Sequence, residues 1–212
     1  MVKVHYFFDP LCGWCFGATA LIDAINNMDN VELILHPGGM LKKQQMSNDF
    51  RAKVKVYDPH IASLTGQAFG QAYNDRVQSD EPILLDSFIT AQAVMVVEQL
   101  SGRGFEMLKA IQSAHYQHGL DVSNINVLRD LASELGIDLD VYQSVIDRFI
   151  KDNQIENQVV LSRQLMSQWG VQGFPTLIAE TTNGLKALPH SSFYNQIDKW
   201  QAELNALIAC SV

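Results

Sequence analysis

The order of patterns at the start of the chain restricts its fold more than any other feature. Val2-Lys3-Val4-His5-Tyr6-Phe7-Phe8 is β-branched and aromatic, and Asp9-Pro10 stops it. That combination reads as a strand. The segment Gly13–Met28 places Phe16, Leu21, Ile22 and Ile25 at helical spacing. Val31–His36 is a second β-type run, closed by Pro37-Gly38-Gly39. Strand, helix, strand predicts a βαβ unit with parallel strands.

The pattern then changes. From about Met46 to Trp169 the period is helical, with expected helices at Asp86–Leu100, Phe105–His118, Asn124–Leu135, Asp138–Ile150 and Ile155–Trp169. Ser123 and Asp138 are the expected N-caps of the third and fourth of these. β character returns at Pro175–Glu180, and Asn183-Gly184 is a hairpin signal leading into Leu185–Leu188. Phe193–Ala209 closes the chain as a helix capped by Ser191 or Ser192. Neither β-containing end can bury a good core alone. One sheet built from both, with the helical block between them, is the expectation. This makes an α/β fold with a discontinuous domain, 1–45 and 170–212, and a large all-α insertion domain, 46–169.

Apolar residues are 47% of the 212, enough for a sizeable core, and charged residues are 18%. The net charge is −8, with 15 Lys and Arg against 23 Asp and Glu. Nucleic-acid binding needs the opposite balance. No apolar run approaches the ~20 residues of a membrane span, and no secretory signal pattern is visible. The expected location is therefore the cytoplasm. With 3 cysteines, Cys12, Cys15 and Cys210, a structural disulfide framework is not expected.

The chemistry-bearing motif is Cys12-Gly13-Trp14-Cys15, between the first strand and its helix. Helical neighbours three apart share a face, with Cβ atoms ~5–6 Å apart. A small adjustment reaches the about 4.4–6.8 Å Cα separation of a disulfide. The loop so closed is too short to add much stability. A bond that opens and closes explains the pair better. Free N–H groups and the helix dipole favour a thiolate on Cys12, at the helix start. Cys15, one turn in, would resolve the mixed disulfide.

The second motif is Val171-Gln172-Gly173-Phe174-Pro175-Thr176. Frequency alone favours a trans bond before Pro175, since cis accounts for only about 5–6% of X–Pro bonds. A cis bond would turn the Phe174 backbone toward a substrate beside Cys12.

Tyr6-Phe7-Phe8-Asp9-Pro10-Leu11-Cys12-Gly13-Trp14-Cys15-Phe16-Gly17, with Gly173-Phe174-Pro175-Thr176 downstream, resembles the DsbA family of thioredoxin-fold oxidoreductases. It is most similar to the cytosolic, FrnE-like branch. The resemblance covers nearly the whole chain. It implies a thioredoxin-like fold with Cys12 as nucleophile, Cys15 as resolving cysteine and Pro175 as a cis-Pro facing them. It implies a dithiol–disulfide cycle without metal or nucleotide, with glutathione or thioredoxin as electron partner and a disulfide-containing protein or small thiol as substrate. The chain differs from the periplasmic members in lacking the Pro-His pair between the cysteines.

Other readings compete. Zinc on Cys12 and Cys15 would need two more ligands, and His115 and His118 are the candidates at helical spacing. A glutathione-dependent transferase or isomerase of the kappa-class or hydroxychromene-carboxylate type is the alternative enzyme, although those relatives carry Ser where Cys12 stands. Trp14 is either a substrate contact or a packing residue. His5 or His36 could tune Cys12, but a local strand partner is the plainer reading. Asp9 could accept a proton from Cys15, but a turn residue before Pro10 is the simpler role. His36–Met40 reads as a turn, Phe69, Tyr73, Met95 and Met107 as core, and Cys210 as an uninvolved thiol.

Overall fold

The computed structural model describes residues 1–209, and Cys210 lies outside them. Strand β1 (Val2–Phe8) is central in a four-stranded sheet of order β2-β1-β5-β6. It pairs in parallel with β2 (Val31–Pro37), from Val2 opposite Val31 to Phe8 opposite Pro37. On its other side it runs antiparallel to β5 (Thr176–Thr181), which continues antiparallel into β6 (Gly184–Ala187). A central strand is covered on both faces, which is why β1 is apolar almost throughout rather than alternating. Val4, Tyr6 and Phe8 enter the main core, while Phe7 packs with Ile178 and Met166 on the opposite face. β2 and β6 are the two edges, and β6 is short, exposed and marked by Lys186.

The first helix is not continuous. It divides into α1 (Gly13–Gly17) and α2 (Thr19–Asn26), with Ala18 between. The Thr19 hydroxyl donates to the Phe16 carbonyl at 2.6 Å, a local bond that competes with the helical ladder. Gly17 is required here by close approach: a Cβ on it would lie 2.7 Å from Ile61 Cγ2.

Seven helices intervene between β2 and β5: α3 (Asn48–Thr65), α4 (Gln71–Gln78), α5 (Ser87–Ser101), α6 (Gly104–Tyr116), α7 (Ile125–Glu134), α8 (Leu139–Lys151) and α9 (Gln154–Trp169). Asp138 caps α8 as expected, accepting from Asp140 and Val141 N–H groups. The cap of α7 is Asn124 and not Ser123, because the Ser123 hydroxyl is turned to Asp121 at 2.6 Å. A short antiparallel pair, β3 (Gln44–Gln45) with β4 (Leu84–Leu85), was not expected. Two residues per strand leave no readable period. The final helix also begins later than the pattern suggested. A 3-10 turn occupies His190–Phe193, and α10 runs Ile197–Ala209. It is anchored by Trp200, fully buried, whose indole N–H donates to the Leu21 carbonyl at 2.8 Å.

Candidate active site

Cys12 occupies the N-cap of α1 in extended conformation, and Cys15 lies one turn inside. Both are unbonded thiols. Cys12 is 7% exposed and Cys15 is 0% exposed. The Cys12 thiol donates to the Phe174 carbonyl at 3.6 Å, which brings together residues 162 positions apart. The Phe174–Pro175 peptide bond is cis. The structure therefore unites the two motifs that the sequence reading singled out.

Cys15 is held as a thiol. Burial pushes its pKa well up, and the hydrogen bond with Cys12 and the Cys12 charge push further in the same direction. The Asp9 backbone opposes this by hydrogen bonding. Tyr6 beneath the pair is likewise raised, first by burial and then by the Cys15 charge.

Asp9 does more than turn the chain. Its side chain is fully buried. Oδ1 accepts from the Leu11 N–H at 3.0 Å and the Ser87 hydroxyl at 2.7 Å, and Oδ2 accepts from the Met40 N–H at 2.6 Å. One carboxylate thus ties the motif loop, the segment after β2 and the start of α5. Burial raises its pKa, and these bonds together with the Arg163 charge act against the rise.

Phe174 is fixed by two residues that the sequence reading did not single out as a pair. A Cβ on Gly38 would lie 2.1 Å from the Phe174 ring, so only glycine allows the ring to sit there. The Arg163 guanidinium lies 5.1 Å over the same ring, and its Nε donates to the Gly38 carbonyl at 2.7 Å. Gly38 belongs to a Pro-Gly-Gly run that carried a turn signal. Arg163 carried no signal, because one arginine on a polar helix face has no distinguishing pattern.

Trp14 is half-buried. It stacks on Tyr194 at 5.9 Å and meets His60 edge-on at 6.0 Å. It also borders a cavity of about 280 Å³ that opens beside Cys12 and is walled by α3, α4 and α6. Tyr73 and His115 line this cavity, as does Asp58. His5 and His36 are elsewhere, bonded to each other at 2.8 Å, with His5 also bonded to Glu180 at 2.9 Å. They follow the plainer reading of local partnership. Of the other residues read as core, Met107 and Tyr73 are buried, while Phe69 and Met95 are half-buried. Among the described residues, no group of three or more His, Cys, Asp or Glu is placed to hold a metal.

A parallel βα start, an antiparallel hairpin and a cysteine pair facing a cis-proline define a thioredoxin-fold thiol–disulfide oxidoreductase. The chain belongs to the DSBA-like thioredoxin domain family, which matches residues 3–196. It is similar to the cytosolic disulfide reductase DsbM from Pseudomonas aeruginosa, with 34% identity, a TM-score of 0.88 and 98% of each chain covered. The structure of the same reductase with GSH matches at 33% identity and TM-score 0.87, covering 98% of this chain and 99% of that one. The thiol-disulfide exchange protein alpha-DsbA2 from Wolbachia pipientis shares the fold at 20% identity and TM-score 0.56, covering 93% of this chain and 81% of that one. No curated protein matches.

Proposed function

We propose that this protein is a cytosolic disulfide reductase that cycles Cys12 and Cys15 between dithiol and disulfide and takes its electrons from glutathione. The observation that carries this reading is the position of Cys12 at the head of α1, with its sulfur against the Phe174 carbonyl and buried Cys15 one turn behind. The likeness to DsbM, a cytosolic disulfide reductase whose structure is also known with GSH, supports the compartment and the thiol partner.

The Cys12 thiolate attacks one sulfur of the substrate disulfide. That S–S bond breaks, and the departing sulfur leaves as a thiolate that takes a proton from water. Cys15 keeps its proton until this point, because the Cys12 charge is one cause of its raised pKa. The mixed disulfide removes that charge. Cys15 then deprotonates and attacks the Cys12 sulfur, releasing the second substrate thiol. Two electrons have passed to the substrate. Two glutathiones return the enzyme to the dithiol, one bonding to Cys12 and the second leaving with it as glutathione disulfide.

Cys15→Ser should stop this cycle at the mixed disulfide. Mass spectrometry after incubation with reducible substrate should show the adduct on Cys12 as the main species, and its absence would remove Cys15 from the resolving role. Gly38→Ala tests the seat of Phe174. The added methyl must displace the ring, and with it the carbonyl opposite Cys12. Misplacements near 1 Å cost on the order of 10²-fold in rate, and a loss of that order in reductase kcat/KM is expected while Cys12 remains alkylable. Unchanged turnover would make the Phe174 contact incidental.

The transferase alternative has less support here. It gives Cys15 no task, whereas the structure buries that thiol directly behind Cys12.

A further inference from the structure

The cavity beside Cys12 contains an acid that the proposed thiol cycle does not use. Asp58, from α3, is 6% exposed. Its Oδ2 accepts from the Tyr73 hydroxyl at 2.8 Å. Its Oδ1 makes no hydrogen bond or ion pair among the described residues. A Cβ placed on Gly13 would lie 3.4 Å from that oxygen, so the open side of the carboxylate faces the turn between the two cysteines. The remaining lining is mainly apolar and aromatic, including Met40, Met46, Tyr57 and Tyr116. His115 adds a second unused polar atom, since its Nδ1 is buried without a partner.

An acid in such surroundings favours one kind of visitor. Burial pushes the Asp58 carboxyl up to about 6, and the Tyr73 bond pulls the other way. A cation would relieve the cost of burying this charge, an uncharged group would not, and an anion would add to it. Aromatic rings around the cavity add cation–π attraction. The net charge of −8 attracts cations at longer range. A neutral His115, its pKa lowered to about 4 chiefly by burial, brings no competing positive charge.

The geometry points to a cation subsite: the cavity beside Cys12 selects small disulfides that carry an ammonium group a few atoms from the sulfur, with Asp58 as its anchor. This rests on the disulfide-reductase reading and adds the substrate class. The cavity's volume of about 280 Å³ is below the ~300–1,000 Å³ of sites for drug-sized ligands, which suits a compact group. With Cys12 only 7% exposed behind the α3 wall, a short flexible disulfide reaches it more readily than a folded protein surface. The exchange is the one already described. Cys12 bonds to one sulfur, the other leaves as an aminoethyl thiol after taking a proton, and Cys15 releases the second as the enzyme disulfide forms. Glutathione then supplies the two electrons for the next cycle.

Three disulfides of similar size separate the charges: cystamine (ammonium), 2-hydroxyethyl disulfide (neutral) and dithiodiglycolate (carboxylate). With glutathione as reductant, kcat/KM for cystamine should exceed that for 2-hydroxyethyl disulfide by about tenfold, the ratio one charge-assisted contact contributes. Dithiodiglycolate should be the poorest. Asp58→Asn should bring the cystamine preference close to one, whereas Tyr73→Phe should retain it in assays run at alkaline pH, where the carboxyl stays ionised without the bond that lowers its pKa. The second-order rate of mixed-disulfide formation on Cys12 in Cys15→Ser, read by mass spectrometry of the Cys12 peptide, gives the same ratio without turnover. A parent protein with no cystamine preference, or an Asp58→Asn protein that keeps it while folded by circular dichroism, overturns the subsite. Reaction of Cys12 with none of the three overturns the reductase reading, and the subsite with it.

Discussion

Cys12→Ser should reduce disulfide reductase activity by at least about 10³-fold, to background, in an insulin reduction assay. Losses of this size are normal when the atom that bonds to substrate is removed. A serine hydroxyl cannot exchange with a disulfide, because the step needs a sulfur that both attacks and later leaves. The fold should survive. Ser is smaller and polar, Cys12 stands at an N-cap where Ser is favoured, and the side chain retains 7% exposure. Melting temperature and circular dichroism check that the loss is chemical. Retained turnover of insulin would end the reductase reading. Loss of insulin reduction with full retention of glutathione transfer to a small electrophile would point to the transferase alternative.

Asp9→Ala should be the most damaging substitution outside the cysteine pair. It removes the acceptor for three buried donors on separate segments, Leu11 N–H, Met40 N–H and the Ser87 hydroxyl. Leaving a buried donor unpaired costs about 1–3 kcal/mol. Repacking and entering water recover part of the sum, so a net loss of roughly 3 kcal/mol is expected. For a chain of this size each kcal/mol moves Tm by about 2–4 °C, which gives a fall of roughly 6–12 °C. Asp9→Asn should lie between the two. Its amide oxygen can still accept, but its NH₂ must then face a donor. Reductase activity should fall with both, since the motif loop is tied to the segment after β2 and to α5 through this one carboxylate. An Asp9→Ala protein that melts within 2 °C of the parent would refute the tie. In that event the turn-residue reading of Asp9 would be adequate.

Asp9 and Phe174 also show where local sequence information ended. The Cys12–Cys15 spacing, the β-type run before it and the helical period after it were readable, because each depends on neighbours within a turn or two. Strand β1 was readable as a strand from its β-branched and aromatic run, but its central place between β2 and β5 came only with the sheet. The caps were partly readable: Asp138 acts as expected, but Asn124 replaces Ser123 because Asp121 captures the serine hydroxyl. The break at Ala18 depends on a hydroxyl choosing a nearby carbonyl, a preference too weak to see beforehand.

The chain by itself determined a strand–dithiol–helix opening, a late proline-led hairpin and a helical block between them, since periodicity and turn chemistry are short-range. The fold decided what meets Cys12. Phe174 arrives from 162 residues away, Gly38 and Arg163 hold its ring, and Asp58 of α3 lines the cavity beside Cys12. None of these contacts has a local signature, because a carboxylate or a glycine gains its role only when packing removes water and brings a distant partner within reach.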